Sequence, residues 1–330
     1  MRDVPLSNLE RQFLLDALEE SKRLDGRSTP QRRPLELHFG RVEGTALVSV
    51  GETQSDHASL VYAQASASIA EPAVSRPIEG MLNIFVTYCG SAAARFADAA
   101  GTAGGDEAVE VTRLLERCLK ESRCLDLESL CIVAEEKVWQ IRLDVNILSA
   151  AAGGVADAAS VAALAALAHF KRPEVTLQGD QVTIHPVSER DPVALAIHHY
   201  PVLSTFAFFN RQKSGSNAEK IVCVDPTWQE EQVMAGKIVF GVNPYREICT
   251  LHLAGQLLID KSVVLRYAHV ASQHAKSVVD LIKNQLHEDT QKRLAGQTEE
   301  IGFAFAFKQN SILQNVKPAE MVSTANLEHV

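Results

Sequence analysis

No run in this sequence reaches the apolar length of a bilayer-spanning segment, and MRDVPLSNLERQF has no apolar stretch between a basic start and a cleavage site. A membrane protein and a secreted protein are therefore not expected, and an intracellular location is. The six cysteines, at 89, 118, 124, 131, 223 and 249, form no CxxC pair and show no His/Cys spacing of a zinc site. Reduced and mostly buried thiols follow. An excess of cations is missing too. The net charge of -9 argues against a stand-alone binder of long nucleic acid, because such affinity comes largely from Lys and Arg meeting phosphates. It leaves room for a local basic strip inside an assembly. GxSxG, HExxH, the P-loop pattern and GxGxxG are all absent, so no motif announces a nucleophile with its base, a held nucleotide or a resident metal.

What is present is an ordinary globular composition. With 330 residues, 46% hydrophobic and 22% charged, the chain can build one large domain or two of average size. Its plan is plainest from Ile141 to Phe170. Trp139, Ile141, Leu143, Val145 and Ile147 alternate with Gln140, Arg142, Asp144 and Asn146, which predicts a strand with one apolar face. Gly153-Gly154 follows, then an alanine-rich helix over Ala158 to Phe170. Such a corner is either a bare structural turn or a phosphate cradle, because the free amides of a helix start point past the strand end. A cradle would want Ser, Thr, Lys or Arg beside the glycines. The neighbours are Val155, Ala156 and Asp157.

Elsewhere, Ser7 and Glu10 predict a capping box that opens a helix from about Asn8 to Leu24, with Leu9, Phe13, Ala17, Leu14 and Leu18 on its apolar face and Gly26 at its end. RLDGRSTPQRRP reads as a solvated basic connector. LELHF, TALVSV, HASLVYAQASAS and MLNIFVTYC predict antiparallel strands, and Ser91 to Gly105 a mobile loop. Over Glu107 to Ser122 a helix is expected, with Leu114, Leu115, Cys118 and Leu119 inward and Arg113, Arg117 and Lys120 together on another face. That basic stripe is either a solvated surface or a track for phosphates. VTLQGDQVTIHP predicts a hairpin, and the polar, proline-containing break from Glu189 to Pro192 a domain boundary.

Beyond the break, Pro201 to Phe209 suits a central strand, followed by IVCV, KIVFGV, EICTLHL and a long helix from about Ile259 to His287. Strands followed by a helix thus occur in both halves, and a duplicated α+β unit is expected. After Glu288 the pattern turns polar, with GFAFAF as a possible strand in a tail. Asp225, Glu230 and Glu231 in VDPTWQEEQVMAG are candidate acid, base or metal groups, although Asp-Pro also opens ordinary turns and Glu-Glu pairs are commonly solvated. His198 and His199, on a strand, would face opposite ways and share no metal.

The segments LSNLERQFLLDALEESKRLDGR, LLERCLKESRCLDLESLCIVAEEKVWQIRLDVNIL, ERDPVALAIHHYPVLSTFAFF and VDPTWQEEQVMAG together resemble the RNase PH-like core ring subunits of the eukaryotic RNA exosome. The likeness covers roughly residues 1 to 290. It implies an α+β fold of two tandem RNase PH-like domains, each with the βαβα layers of the ribosomal protein S5 domain 2-like type. Domain 1 with an N-terminal helix would occupy 1–190, domain 2 191–290 and a polar C-terminal tail 291–330. It further implies a heteromeric ring of RNase PH-like subunits, cap RNA-binding subunits, an associated nuclease and single-stranded RNA as partners. No membrane and no cofactor are implied. The expected setting is the nucleus, nucleolus and cytoplasm, in rRNA maturation and mRNA turnover.

Active members of the family hold phosphate with a Gly-Gly-Thr-Arg turn and use two aspartates of the second domain. By that resemblance, Val155 and Ala156 stand where Thr and Arg would be, and Glu231 and Lys237 where the aspartates would be. A non-catalytic structural subunit on the RNA path is implied. Arg113 and Arg117 are the first candidates for RNA contact, with Lys120 and Arg95 behind them. The alternatives are an active phosphate-dependent 3'-to-5' exoribonuclease whose site is shared with a partner, and an unrelated α+β metabolic enzyme.

Overall fold

The computed structural model describes residues 6–51, 58–90, 92, 105–178, 181–186, 188–210, 220–256, 258–296 and 301–303. Helix α1 (Asn8–Glu19) opens with the expected box: Ser7 Oγ accepts the Glu10 amide and the Glu10 carboxylate takes the Ser7 amide. It ends earlier than predicted. The chain leaves the helix at Glu20, Ser21 turns through φ 60°, and Gly26 lies in a later turn. Only Leu14 and Leu18 of its apolar residues are buried, Leu18 against Ala207, Phe209 and Cys223, while Leu9 and Phe13 are exposed.

Strands β1 (Leu35–Phe39), β2 (Thr45–Val50), β3 (Ser59–Ala70), β4 (Met81–Tyr88), β5 (Cys131–Val133) and β6 (Lys137–Ala150) form one sheet in the order β1-β2-β3-β6-β4, with β5 also on β6. β6 carries the predicted alternation: Trp139, Ile141, Leu143, Val145 and Ile147 are all buried. One expectation fails here, since β4 runs parallel to β6. β6 inserts between β3 and β4, so β4 never meets its sequence neighbour. Being antiparallel to β3, it must lie parallel to β6.

Between β4 and β6 run α2 (Gly105–Leu115) and a π-helical turn (Glu116–Glu121), whose Leu114, Leu115, Cys118 and Leu119 are buried as predicted. The expected loop at Ser91 to Gly105 lies almost wholly outside the described residues, as does Arg95.

Helix α3 (Val155–His169) is the centre of the molecule. Every residue except Ala156 and Ala168 is buried, because it packs on β2, β3 and β6 at one side and meets the second sheet at β11 (Val202–Phe209) on another. Alanine permits both approaches: a helix of larger side chains could not sit so close to two layers. After it come the short β7 (Lys171–Arg172), which pairs with β10 (Val193–Ala194), and the predicted hairpin β8 (Val175–Gln178) with β9 (Gln181–Ile184).

The second sheet is wholly antiparallel, in the order β12-β11-β13-β14, with β12 (Ile221–Val224), β13 (Gly236–Val242) and β14 (Ile248–Gly255). β11 is one of its two internal strands and is buried along its whole length, as its two apolar faces predict. Both halves are therefore a sheet covered by helices, but the first is mixed and six-stranded while the second has four strands.

The short α4 (Trp228–Val233) joins β12 to β13, and α5 (Lys261–Leu294) crosses the second sheet with Tyr267 against Phe206 and Phe208. α5 runs past the predicted end, so residues 291–294, expected in the tail, are helical. Its fully buried face is Ala271, Ala275, Val278, Val279 and Ile282, while Val263, Tyr267 and His274 are half-buried. All six cysteines are free thiols: Cys118, Cys124 and Cys223 are buried, and Cys89, Cys131 and Cys249 are half-buried.

Candidate functional site

The turn after β6 is shaped by what presses on it. Gly153 and Gly154 have φ of +76° and +66°, and a Cβ on Gly153 would lie 2.6 Å from the Trp228 amide nitrogen. On Gly154 it would meet the Arg33 guanidinium at 2.6 Å. The glycine pair is thus required by the close approach of α4 and the arginine connector, before any ligand is considered.

The Gly154 amide donates to Glu231 Oε1 at 3.1 Å. A carboxylate of the protein itself therefore sits on the free amide at the start of α3, where an anion would otherwise be attracted. Val155, Ala156, Glu231 and Lys237, the four positions named from the sequence, line a single small cavity of about 40 Å³, together with Glu107, Glu110 and Thr205. That is room for a few waters. Lys237 Nζ is 2.7 Å from Glu110 Oε1, so its charge is already met.

Burial, against the lowering effects of the Gly154 amide, Lys237 and Arg33, pushes Glu231 up to about 7, with Glu107 adding to the rise. Burial likewise raises Glu107 to about 7, with Glu110 adding and Lys237 and the Tyr88 hydroxyl opposing. The cavity thus presents three carboxylates, one ion-paired lysine and the apolar side chains of Val111, Leu114, Val155, Ala156 and Val239. No Thr, Lys or Arg side chain directly follows Gly154 to complete an anion site there. Among the described residues no group of three His, Cys, Asp or Glu side chains is arranged to hold a metal.

The connector RLDGRSTPQRRP is only partly solvated: Leu24, Asp25, Gly26, Ser28, Pro30, Gln31 and Pro34 are exposed, but its four arginines turn inward. The Arg23 side chain is fully buried; its Nε and Nη2 donate to Glu230 at 2.8 and 2.5 Å, and its Nη atoms reach the carbonyls of Val224 and Asp225 at 3.0 and 2.9 Å. Arg33 donates its backbone N and Nε to Asp225 Oδ2, each at 2.9 Å, and pairs through Nη2 with Oδ1 and through Nη1 with the Ala152 carbonyl. Arg27 adds a contact of 3.1 Å to Asp225 Oδ2.

Burial alone would raise the Asp225 carboxyl, but these arginines hold it down at about 2. Asp225 has φ 51°, and the α4 start beside it carries a second capping box between Thr227 and Glu230. The expectation of a solvated pair at Glu230-Glu231 is corrected: Glu230 is buried and ion-paired and Glu231 is partly buried, while Asp225, expected to open a turn, is buried and ion-paired as well. Asp157 does not cap its helix. It accepts the Thr205 amide at 2.9 Å and the Thr205 hydroxyl at 2.6 Å, with Arg32 at 3.6 Å, and so ties α3 to β11.

Arg113, Arg117 and Lys120 are exposed on the outer face of α2 and the π turn. From Glu110, which lines the cavity, the stripe begins about 5 Å along the helix axis and reaches about 15 Å. His198 and His199 lie between β10 and β11, outside any strand, so the strand condition for opposite faces is not met, and His199 Nε2 is 3.6 Å from Cys249 Sγ. Residue reasoning missed Glu107, Glu110, Arg23 and Arg33. For the arginines a signal existed: four arginines in one short connector, facing acids in VDPTWQEE about two hundred residues away.

Residues 31–173 match the model of domain 1 of the 3' exoribonuclease family, RNase PH, and residues 199–273 match that of domain 2. The exosome complex component RRP45 of Bos taurus is 42% identical over 90% of this chain, which spans 63% of that protein's length. Its counterpart in Mus musculus is 40% identical over 99% of this chain and 70% of its own length. The Saccharomyces cerevisiae counterpart is 36% identical over 88% and 94%. In fold, the chain is similar to a subunit of the Archaeoglobus fulgidus exosome solved with RNA bound to the active site, with TM-score 0.66 and 22% identity over 83% of this chain and 97% of that one.

Proposed function

The chain belongs to the RNase PH family of 3' exoribonucleases, among the exosome components of RRP45 type, and from that premise we propose that it is a non-catalytic, RNA-path subunit of an exosome core ring. The observation that carries this reading is the Glu231 carboxylate on the Gly154 amide, in a cavity that Glu107 and Glu110 make acidic and that Val155 and Ala156 leave without anion ligands. Phosphorolysis needs a bound phosphate in line with the RNA end, and this pocket sets carboxyl groups and apolar side chains where anion ligands would be needed.

The chain would act beside other RNase PH-like ring subunits, cap RNA-binding subunits and a separate nuclease, supporting 3'-to-5' processing and decay. The exposed Arg113, Arg117 and Lys120 would meet RNA phosphates with little sequence preference. Arg95 belongs to the same proposed path. The same reading carries the expectation of nuclear, nucleolar and cytoplasmic location.

The test is direct. The purified chain, incubated with single-stranded RNA and inorganic phosphate, is expected to release no nucleoside diphosphates, and the native complex to have a mass far above one chain. Phosphate-dependent release by the chain overturns the non-catalytic reading. A lone chain or small homo-oligomer in the cell overturns the ring.

A further inference from the structure

The far end of α5 makes a further set of contacts. Asp289 Oδ2 is 3.2 Å from His169 Nε2, while His169 Nδ1 accepts the Gly44 amide at 3.2 Å. That acceptor role at Nδ1 leaves the proton of the neutral ring on Nε2, facing Asp289. Arg293 Nε donates to the same Asp289 oxygen at 2.5 Å. Its two terminal nitrogens donate to the carbonyls of Arg41 and Gly40 at 3.0 and 2.7 Å. Those carbonyls belong to the turn between β1 and β2, so one guanidinium holds the backbone of a turn some 250 residues earlier in sequence.

The chain then comes back to that turn. Gly302, with φ +113°, lies beside Arg41, and the Phe303 ring stands edge-on to Tyr62, with centroids 5.7 Å apart and planes at 85°. A Cβ on Gly40 would be 2.8 Å from Phe303 Cζ and 2.1 Å from Thr45 Oγ1. The bare glycine backbone is thus part of the surface on which the ring rests.

We infer that the β1–β2 turn is a docking socket, formed by Gly40, Arg41 and Tyr62, for the chain's own segment after the long helix, with Phe303 as its plug and Arg293 as the clamp beside it. The occupant it fits is an aromatic side chain preceded by a glycine that can take positive φ. α5 is rooted in the second sheet through Tyr267 and fastened at its other end to the first, so the socket closes a tie between the two halves. It also fixes the point on the first half where Phe303 leaves the helix end behind. Of GFAFAF, a possible strand by its sequence, Gly302 and Phe303 lie at this socket; its residues after Phe303 lie outside those described.

Hydrogen–deuterium exchange on the full chain tests this. F303A is expected to speed exchange about tenfold in peptides covering residues 40–46, with β6 exchanging as in the wild type, and F303L to retain most of the protection. R293Q is expected to loosen the same turn from the clamp side. Wild-type exchange at residues 40–46 in F303A overturns the socket, and so does a rise spread equally over β6, which would report general destabilisation.

Discussion

At the scale of single residues, the cavity beside the glycine turn is defined by charges that oppose one another. Glu107 and Glu231 are each raised from 4.5 to about 7. The folded state therefore binds these protons more tightly than the unfolded chain, and stability falls as pH rises from about 4.5 to about 7. E231Q keeps an acceptor for the Gly154 amide and removes the charge. It is expected to be more stable than the wild type by about 1 kcal/mol at pH 8 and equal to it near pH 4.5, as read by urea denaturation across that range. Asp225 works the other way. Its carboxyl is lowered from 3.8 to about 2, so its contribution is present above the ordinary aspartate value and is lost as pH falls towards 2. D225N leaves the buried Arg33 uncompensated and is expected to lose about 3 kcal/mol at pH 7 in the same denaturation assay.

At the scale of elements, the strand and helix flanking the glycine turn were legible because a period-two alternation and an alanine run state their own geometry. The reason for the glycines was not. It lies in Trp228 and Arg33, which arrive from distant segments. G153A must place a Cβ against the α4 backbone at positive φ, and a loss of about 2 kcal/mol in thermal or urea unfolding is expected, with α4 and the Asp225 turn displaced in proteolysis. The direction of β4 was hidden for a similar reason: no residue of MLNIFVTY says that β6 will insert between it and β3. The connector's arginines look like solvent-facing charge until Asp225 and Glu230 are brought beside them.

At the scale of the molecule, an acidic chain can serve an RNA path only by concentrating cations on one face. Arg113, Arg117 and Lys120 form such a face, with Leu114, Leu115, Cys118 and Leu119 buried behind them. In the reconstituted assembly, replacing Arg113 and Arg117 by Ala is expected to weaken single-stranded RNA binding for all sequences alike. The slope of log affinity against log salt should drop by about 1.4, the share of two neutralised phosphates on a single strand. An unchanged slope removes these residues from the path.

By itself the sequence determined two α+β halves, nearly every strand and helix, and the residue types after Gly154, which are Val155, Ala156 and Asp157. Those properties are written in local periodicity and residue type. Only the tertiary structure decided that Glu231 takes the Gly154 amide, that the connector's arginines lock onto Asp225 and Glu230, that β4 runs parallel, and that Phe303 returns to Gly40. Each of these joins segments far apart in the chain, and a contact of that kind depends on how layers pack, which no local pattern encodes.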